Sequence, residues 1–409
     1  MSRTDRESRR RLLLLVFAFL PLIGGLATPA SATTVTLETN VTGVAAGHAR
    51  NPFNKASQRK IVRTRIGSPK DALTYVVYTR WNGATTEVVL ARSRTLFLSD
   101  VEKTVLFGPG GAAWANASDS FAFPAIEVSA DGKELHVVAL NLTQTDVVYS
   151  KNVAIEGAWS TAWTRAGGGT SPRHDVVSTS AYATTAPAIA LDESRRPHVV
   201  WTRPWAASPF APNVFYARHD GASWISDVPL SSITAGSAFP EELDPSIDFA
   251  NGFVHVLYKD DQDTGDATPK TDRYRYVRNN TQFNYAGYNA AVTVMQPAVG
   301  QNEAGLPGSV AAKESGVWVT GSFLPGSSAS VGYYNYSTDG GATWVLDATG
   351  TENDVYECDG THKAPAPIGL NTEGNDHRLY AIRRDFSGSI FTYEWGGATW
   401  VDGLAGTCA

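Results

Sequence analysis

The chain is poor in cysteine and methionine, with two of each in 409 residues. Two cysteines exclude a disulfide-built miniature scaffold and a four-cysteine zinc site. Excess positive charge is missing too. The 34 Lys and Arg against 40 Asp and Glu leave a formal charge of −6. That removes the electrostatic footprint of a nucleic-acid binder or a protein of anionic membrane surfaces. No segment carries a sustained helical period of apolar residues. No zinc spacing, phosphate-binding glycine loop or Gly-x-Ser-x-Gly turn is present, so those chemistries lack a sequence basis.

One apolar run stands near the N-terminus. Arg9, Arg10 and Arg11 precede an apolar stretch from Leu12 to Leu26, and Ala30-Ser31-Ala32 follows. A basic start, a short apolar run and a small-x-small site read as a cleavable signal peptide over residues 1–32. Pro21 and the Gly24-Gly25 pair break the run, which is short for a membrane span. The expectation is a secreted or periplasmic protein with no membrane anchor, whose mature part is residues 33–409.

What the mature part does have is a repeat. An apolar strand recurs as Tyr75-Val-Val-Tyr-Thr-Arg80, His136-Val-Val-Ala-Leu-Asn141, His198-Val-Val-Trp-Thr-Arg203 and His255-Val-Leu-Tyr-Lys-Asp260. Weaker copies start at Val317 and Leu379, and the starts lie 61, 62, 57, 62 and 62 residues apart. A fixed period decides the architecture, because one unit alone leaves an apolar face uncovered. The third copy shows the unit best. Pro187-Ala-Ile-Ala-Leu-Asp192 alternates and ends in a turn, and His198 opens a second strand. Asn213-Val-Phe-Tyr-Ala-Arg218 is a third, and Asp220-Gly221 leads to Trp224 and a fourth. Four short strands joined by turn residues make one propeller blade. The period therefore predicts an all-β fold: a single six-bladed β-propeller of four-stranded antiparallel blades, most simply a monomer. Thr34-Val-Thr-Leu-Glu38 is the candidate strand for closing the last blade beside Trp400-Val401.

Ser337-Thr-Asp339-Gly-Gly341-Ala-Thr343-Trp344 has the pattern Ser-x-Asp-x-Gly-x-Thr-Trp, with partial copies ending at Trp224 and Trp400. In this motif the chain resembles the sialidase-like propeller superfamily and its Asp-box repeat. The resemblance implies a tight turn between third and fourth strands, with the Trp packed between blades. It also implies that loops after the second strand, and the connections into the next blade, share the ligand-binding face. The sialidase catalytic set is not carried over cleanly. Its early Arg-Ile-Pro pattern becomes Arg65-Ile66-Gly67, and the last blade opens with Ala366-Pro-Ile where a Tyr is expected.

Candidate site residues follow from that face. Arg80 and Arg203 end second strands, each with a nearby indole, Trp81 and Trp205, and Arg383 is close to that place in the sixth copy. Guanidinium forks suit a sugar carboxylate, and indole faces suit a sugar ring. The plainer reading is that such residues pair with nearby acids. Asp260 and Asp261 end the fourth copy's second strand, and Glu241 and Tyr356 lie in connections between copies. These are the candidate catalytic groups, since glycoside hydrolysis needs two carboxyls and elimination needs a base such as Tyr. Asp261, Asp263 and Asp266 alternate around Gly265 like a calcium loop, against a solvated acidic loop. His136, His198 and His255 share one repeat position, which makes them structural. The expected partner is an extracellular glycan, acidic sugars included, handled by a glycosidase or polysaccharide lyase. The competing reading is a lectin-like module that binds carbohydrate or protein without chemistry.

Cys358 and Cys408 are the only cysteines and both fall in the last copy. In an exported chain they are expected to be bonded. The bond would close a loop of about 50 residues, worth about 4 kcal/mol in the chain-entropy model. Thiol labelling of the denatured, unreduced mature protein should find no free sulfur. Two labelled cysteines would refute the pairing.

Overall fold

The computed structural model describes residues 58–59, 61–64, 73–94, 100–178, 185–205, 208–231, 244–260, 273–296, 303–324, 331–345, 354–356, 366–371, 378–384, 390–395 and 400–402. Among these residues there is no helix, and none is long and apolar enough to cross a membrane. Strands fall into six sheets in chain order. Sheet one holds Ile61–Arg63, Thr74–Trp81, Thr86–Ser93 and Glu102–Gly108, with Trp114–Ala115 at its edge. Sheet two holds Phe121–Val128, Leu135–Asn141 and Asp146–Asn152, and sheet three Thr185–Leu191, Pro197–Trp205, Ser208–His219 and Trp224–Pro229. Sheet four is built on Ser246–Ala250, Phe253–Asp260 and Arg273–Thr281. Sheet five is built on Glu303–Lys313, Gly316–Leu324 and Val331–Ser337, and sheet six on Ala366–Asn371, Arg378–Arg384 and Ile390–Trp395. Sheet three opens at the strand that the sequence places at residues 187–192.

Three sheets have five strands where four are expected. In sheet two the outer position is split between Trp163–Thr164 and Asp175–Ser178, because Gly167-Gly168-Gly169 and Pro172 interrupt the run. In sheet four Asn289, Ala290 and Ala291 separate Asn284–Tyr288 from Val292–Met295. Sheet one gains Trp114–Ala115, paired parallel to Phe107 and Gly108.

Second strands read as unbroken apolar runs because both of their faces are covered. Side chains alternate across a strand, and here each side meets a different neighbour. Val137 and Ala139 pack with Leu90 and Phe107 of sheet one, whereas Val138 packs with Val199 and Trp201 of sheet three. Val200 turns the other way, onto Ile247 and Val256 of sheet four. Leu257 in turn packs with Val310 and Val319 of sheet five.

The three histidines build a repeated lock at these boundaries. His136, His198 and His255 are fully buried. Each Nδ1 meets a tyrosine hydroxyl diagonally across the next strand, Tyr149 at 2.6 Å, Tyr216 at 2.6 Å and Tyr276 at 2.7 Å. The Nε2 atoms of His136 and His198 face Glu134 at 3.4 Å and Asp192 at 3.8 Å. With the proton on Nε2, toward those carboxylates, Nδ1 would accept from the tyrosine O–H. An aromatic ring from the following sheet then covers each tyrosine: Trp224 on Tyr149, Tyr288 on Tyr216 and Trp344 on Tyr276, with centroids 5.3, 5.5 and 4.9 Å apart. In sheet one Tyr75 takes the histidine's place, donates to the Ile155 carbonyl of sheet two and lies against Trp159.

The turn carrying Trp344 is closed by its own side chains. Asp339 accepts from the backbone N–H groups of Ala342 and Thr343 and from the Thr343 hydroxyl, and Ser337 Oγ accepts from Gly341 N–H. Gly341 has φ +81°, and a Cβ there would stand 2.0 Å from the Tyr276 hydroxyl. Glycine is required on both counts.

Gln58 and Arg59 tie first strands together. Gln58 Nε2 donates to the Phe123 carbonyl of sheet two at 2.5 Å and the Pro187 carbonyl of sheet three at 2.6 Å. Arg59 pairs with Glu127 of sheet two, and with Asp248 of sheet four at 3.3 Å.

Trp344→Ala should destabilise the protein toward the low end of about 3–5 kcal/mol, because the indole is half-buried. An unchanged melting temperature would remove the lock at that boundary. The histidines set a pH dependence. Burial pushes His255 down from 6.5 to about 3, and His136 and His198 also downward. The unfolded chain then binds more protons than the folded one in this range. The stability these groups contribute is complete above about 6.5 and is lost as pH falls toward about 3. The His136 ring and Arg195 hold Glu134 near 2, which adds loss in the same direction below 4.5. Melting followed from pH 7 downward should fall steadily; a flat profile to about pH 4 would contradict neutral burial.

Candidate functional site

Register puts the hairpin ends between second and third strands at one end of the sheets, opposite the histidines. The cross-strand pairs at the sixth position of each copy, at or next to these hairpin ends, are Arg80 with Glu87, Asn141 with Asp146, Arg203 with Asn213 and Asp260 with Arg273. Sheet five has Phe323 with Val331 there, and sheet six Arg384 with Ile390. Polar cross-strand pairs thus line this end through four successive sheets.

The predicted arginines are engaged locally. Arg80 Nε donates to Glu87 Oε1 at 2.7 Å, and Glu87, itself buried, also accepts from Asn82. Trp81 beside it is half-buried. Arg203 pairs with Asp227 Oδ1 at 2.9 Å, donates to Ser178 Oγ, and lies 4.0 Å above the Phe215 ring. Asp260 is buried and accepts from Arg273 at 3.1 Å, with Arg275 at 3.8 Å. Arg80, Arg203 and Asp260 are thus each paired with a neighbour of opposite charge near a strand end.

Trp205, Tyr356 and Arg383 lie in strands Pro197–Trp205, Asp354–Tyr356 and Arg378–Arg384. Glu241, Asp261, Asp263, Asp266, Cys358, Cys408 and the Thr34–Glu38 segment lie outside the described residues, so the calcium-loop and disulfide readings do too. Among the described residues no three His, Cys, Asp or Glu side chains cluster to hold a metal ion. His174 and Asp175 are also committed to packing and pairing. His174 stacks on Trp114 at 3.8 Å, and Asp175 accepts from Arg165 and from the Ala166 N–H.

Sheet two carries the group that sequence reasoning missed. Asp119, in the connection from sheet one, is 3% exposed, and Asp146 is 7% exposed. Asp119 Oδ2 accepts from the amides of Asn116 at 2.9 Å, Asn141 at 3.1 Å and Gln144 at 3.4 Å. Asn141 Oδ1 in turn accepts from the N–H groups of Thr143 and Gln144, which fixes the hairpin loop under the carboxylate. Asp146 sits directly across from Asn141. Burial, and then the neighbouring Asp119 charge, push its carboxyl above the ordinary aspartate range. A signal was available, since Asn141 is the sixth residue of its copy, the position of Arg80, Arg203 and Asp260.

No protein-family model matches the sequence, and no match is found among curated proteins. Solved structures do resemble it. The chain is similar to the polysaccharide lyase Uly1, with a TM-score of 0.50 and 12% identity over 89% of this chain and 85% of that one. It also matches the lectin of Aleuria aurantia, described as a six-bladed β-propeller, with a TM-score of 0.44 and 12% identity over 84% and 94%. A Hadza microbial sialidase, Hz136, matches with a TM-score of 0.43 and 13% identity over 80% and 68%. At these identities the likeness is one of fold.

Proposed function

We propose that this chain is a monomeric six-bladed propeller, exported through residues 1–32 and closed by Thr34–Glu38, that acts on an extracellular carbohydrate. The site is the end where second strands pass into third strands. One observation carries this reading: four successive sheets present polar cross-strand pairs at that end, with the half-buried Trp81 among them. Hydrogen-bonding groups beside an indole suit sugar hydroxyls and the apolar face of a sugar ring. The fold shared with a polysaccharide lyase supports the same class of ligand. Binding without chemistry is the second reading. It is favoured by the local neutralisation of Arg80, Arg203 and Asp260, which leaves none of them as a ready clamp for a sugar acid.

A panel of neutral and acidic glycans, read out by both retention and product release, tests the class of ligand. Trp81→Ala should weaken retention about tenfold, the equivalent of about 1.4 kcal/mol. Retention of no glycan at all, or retention indifferent to Trp81, would contradict the placement.

A further inference from the structure

Sheet two breaks the pattern of its neighbours. Sheets one, three and four each place a guanidinium at the hairpin end, Arg80, Arg203 and Arg273, and each is matched by a carboxylate. Sheet two places two carboxyl groups there. Among the described residues neither meets a cation. The three amide donors all converge on Oδ2 of Asp119, leaving Oδ1 without a hydrogen bond. Among the described residues the Asp146 carboxyl accepts none, although the residue is more than nine-tenths buried. Acceptor positions left open in this way can take a proton or a donor from a ligand.

We propose that Asp119 and Asp146 form the carboxyl pair of a glycoside hydrolase site at the end of sheet two. This rests on the carbohydrate reading above and commits it to hydrolysis. The amides of Asn116, Asn141 and Gln144 hold Asp119 in one orientation with one oxygen unused. Asp146 lies across from Asn141, the residue whose amide holds Asp119, and is near enough to feel the Asp119 charge. Two carboxyls in unlike surroundings are what acid and base roles at one bond require. Asp146 is the acid, in keeping with the upward push from burial and from Asp119. Among the described residues, Asp119 is the one charged group acting on it.

The step balances as follows. Asp146 gives its proton to the glycosidic oxygen. The bond from that oxygen to the anomeric carbon breaks, and its electron pair stays on the oxygen. Asp119 takes a proton from a water whose oxygen bonds to the anomeric carbon. One glycoside and one water give two sugars, one with a new reducing end. Asp146 is left as carboxylate and Asp119 as acid, and one proton returns between them through solvent.

The test compares the wild-type chain with Asp119→Asn and Asp146→Asn on the same glycan panel, by reducing-end release, retention and melting. Each variant should lose at least about 100-fold in release, while retention and melting stay near wild type. Release by the wild type should fall as pH rises, with its limb above the ordinary aspartate value of 3.8. If a variant unfolds, that limb decides, and release that is flat from about pH 4 to about pH 8 overturns the assignment. Release within about threefold of wild type in both variants also overturns it. Retention without release by the wild type overturns hydrolysis and leaves the carbohydrate reading standing. Neither retention nor release removes that reading, and the pair with it. A rise in melting with calcium that Asp146→Asn abolishes would make this a cation site instead.

Discussion

The fold depends on satisfying polar groups inside the boundaries between sheets. Sheets two, three and four are apolar on both faces and have to be covered twice, yet at one end of each of their second strands stands a fully buried histidine. The histidine is tolerated because a tyrosine hydroxyl meets its Nδ1, and the tyrosine because an aromatic ring of the next sheet closes over it. An unpaired imidazole there would cost the full desolvation of a polar group. The lock fixes how far one sheet slides along another, since the hydrogen bond and the covering ring hold only in one register. Gln58 and Arg59 add a tie between the first strands of sheets two, three and four.

Concentrating that constraint at one end leaves the other end free to vary. The hairpins there share a register but not a chemistry: Arg with Glu, Asn with Asp, Arg with Asn, Asp with Arg. Three of the four sheets neutralise their arginine within a single sheet or against a neighbour's edge. Those pairs stiffen strand ends and leave little charge to spend on a ligand. Sheet two instead spends three amide donors on one oxygen of Asp119 and sets a second carboxyl opposite. That surplus of acceptors is the ground for placing the ligand at sheet two.

Much of this architecture was legible in the sequence. The period of the Val-Val runs placed the second strands, and the Ser337–Trp344 motif placed a turn whose indole packs on the neighbouring sheet. The shared position of His136, His198 and His255 marked them as structural. Less legible was the division of the outer strand in sheets two and four, where glycine and polar residues break pairing only in context. The site was read less well than the fold. Arg80, Arg203 and Asp260 were singled out by residue type and position, but their partners, Glu87, Asp227 and Arg273, are set by register and by the neighbouring strand. Asp119 and Asp146 are 27 residues apart, and only the connection from sheet one brings them to the same hairpin.

The central claim is that a sugar completes the carboxyl pair of sheet two. Its most direct test is a crystal structure of the Asp146→Asn protein soaked with an oligosaccharide that the wild-type chain retains. The account predicts a glycosidic oxygen within hydrogen-bonding reach of the substituted side chain and a sugar carbon facing Asp119 Oδ1. An oligosaccharide bound at another part of the molecule, with the Asp119 pocket filled by solvent alone, would contradict it.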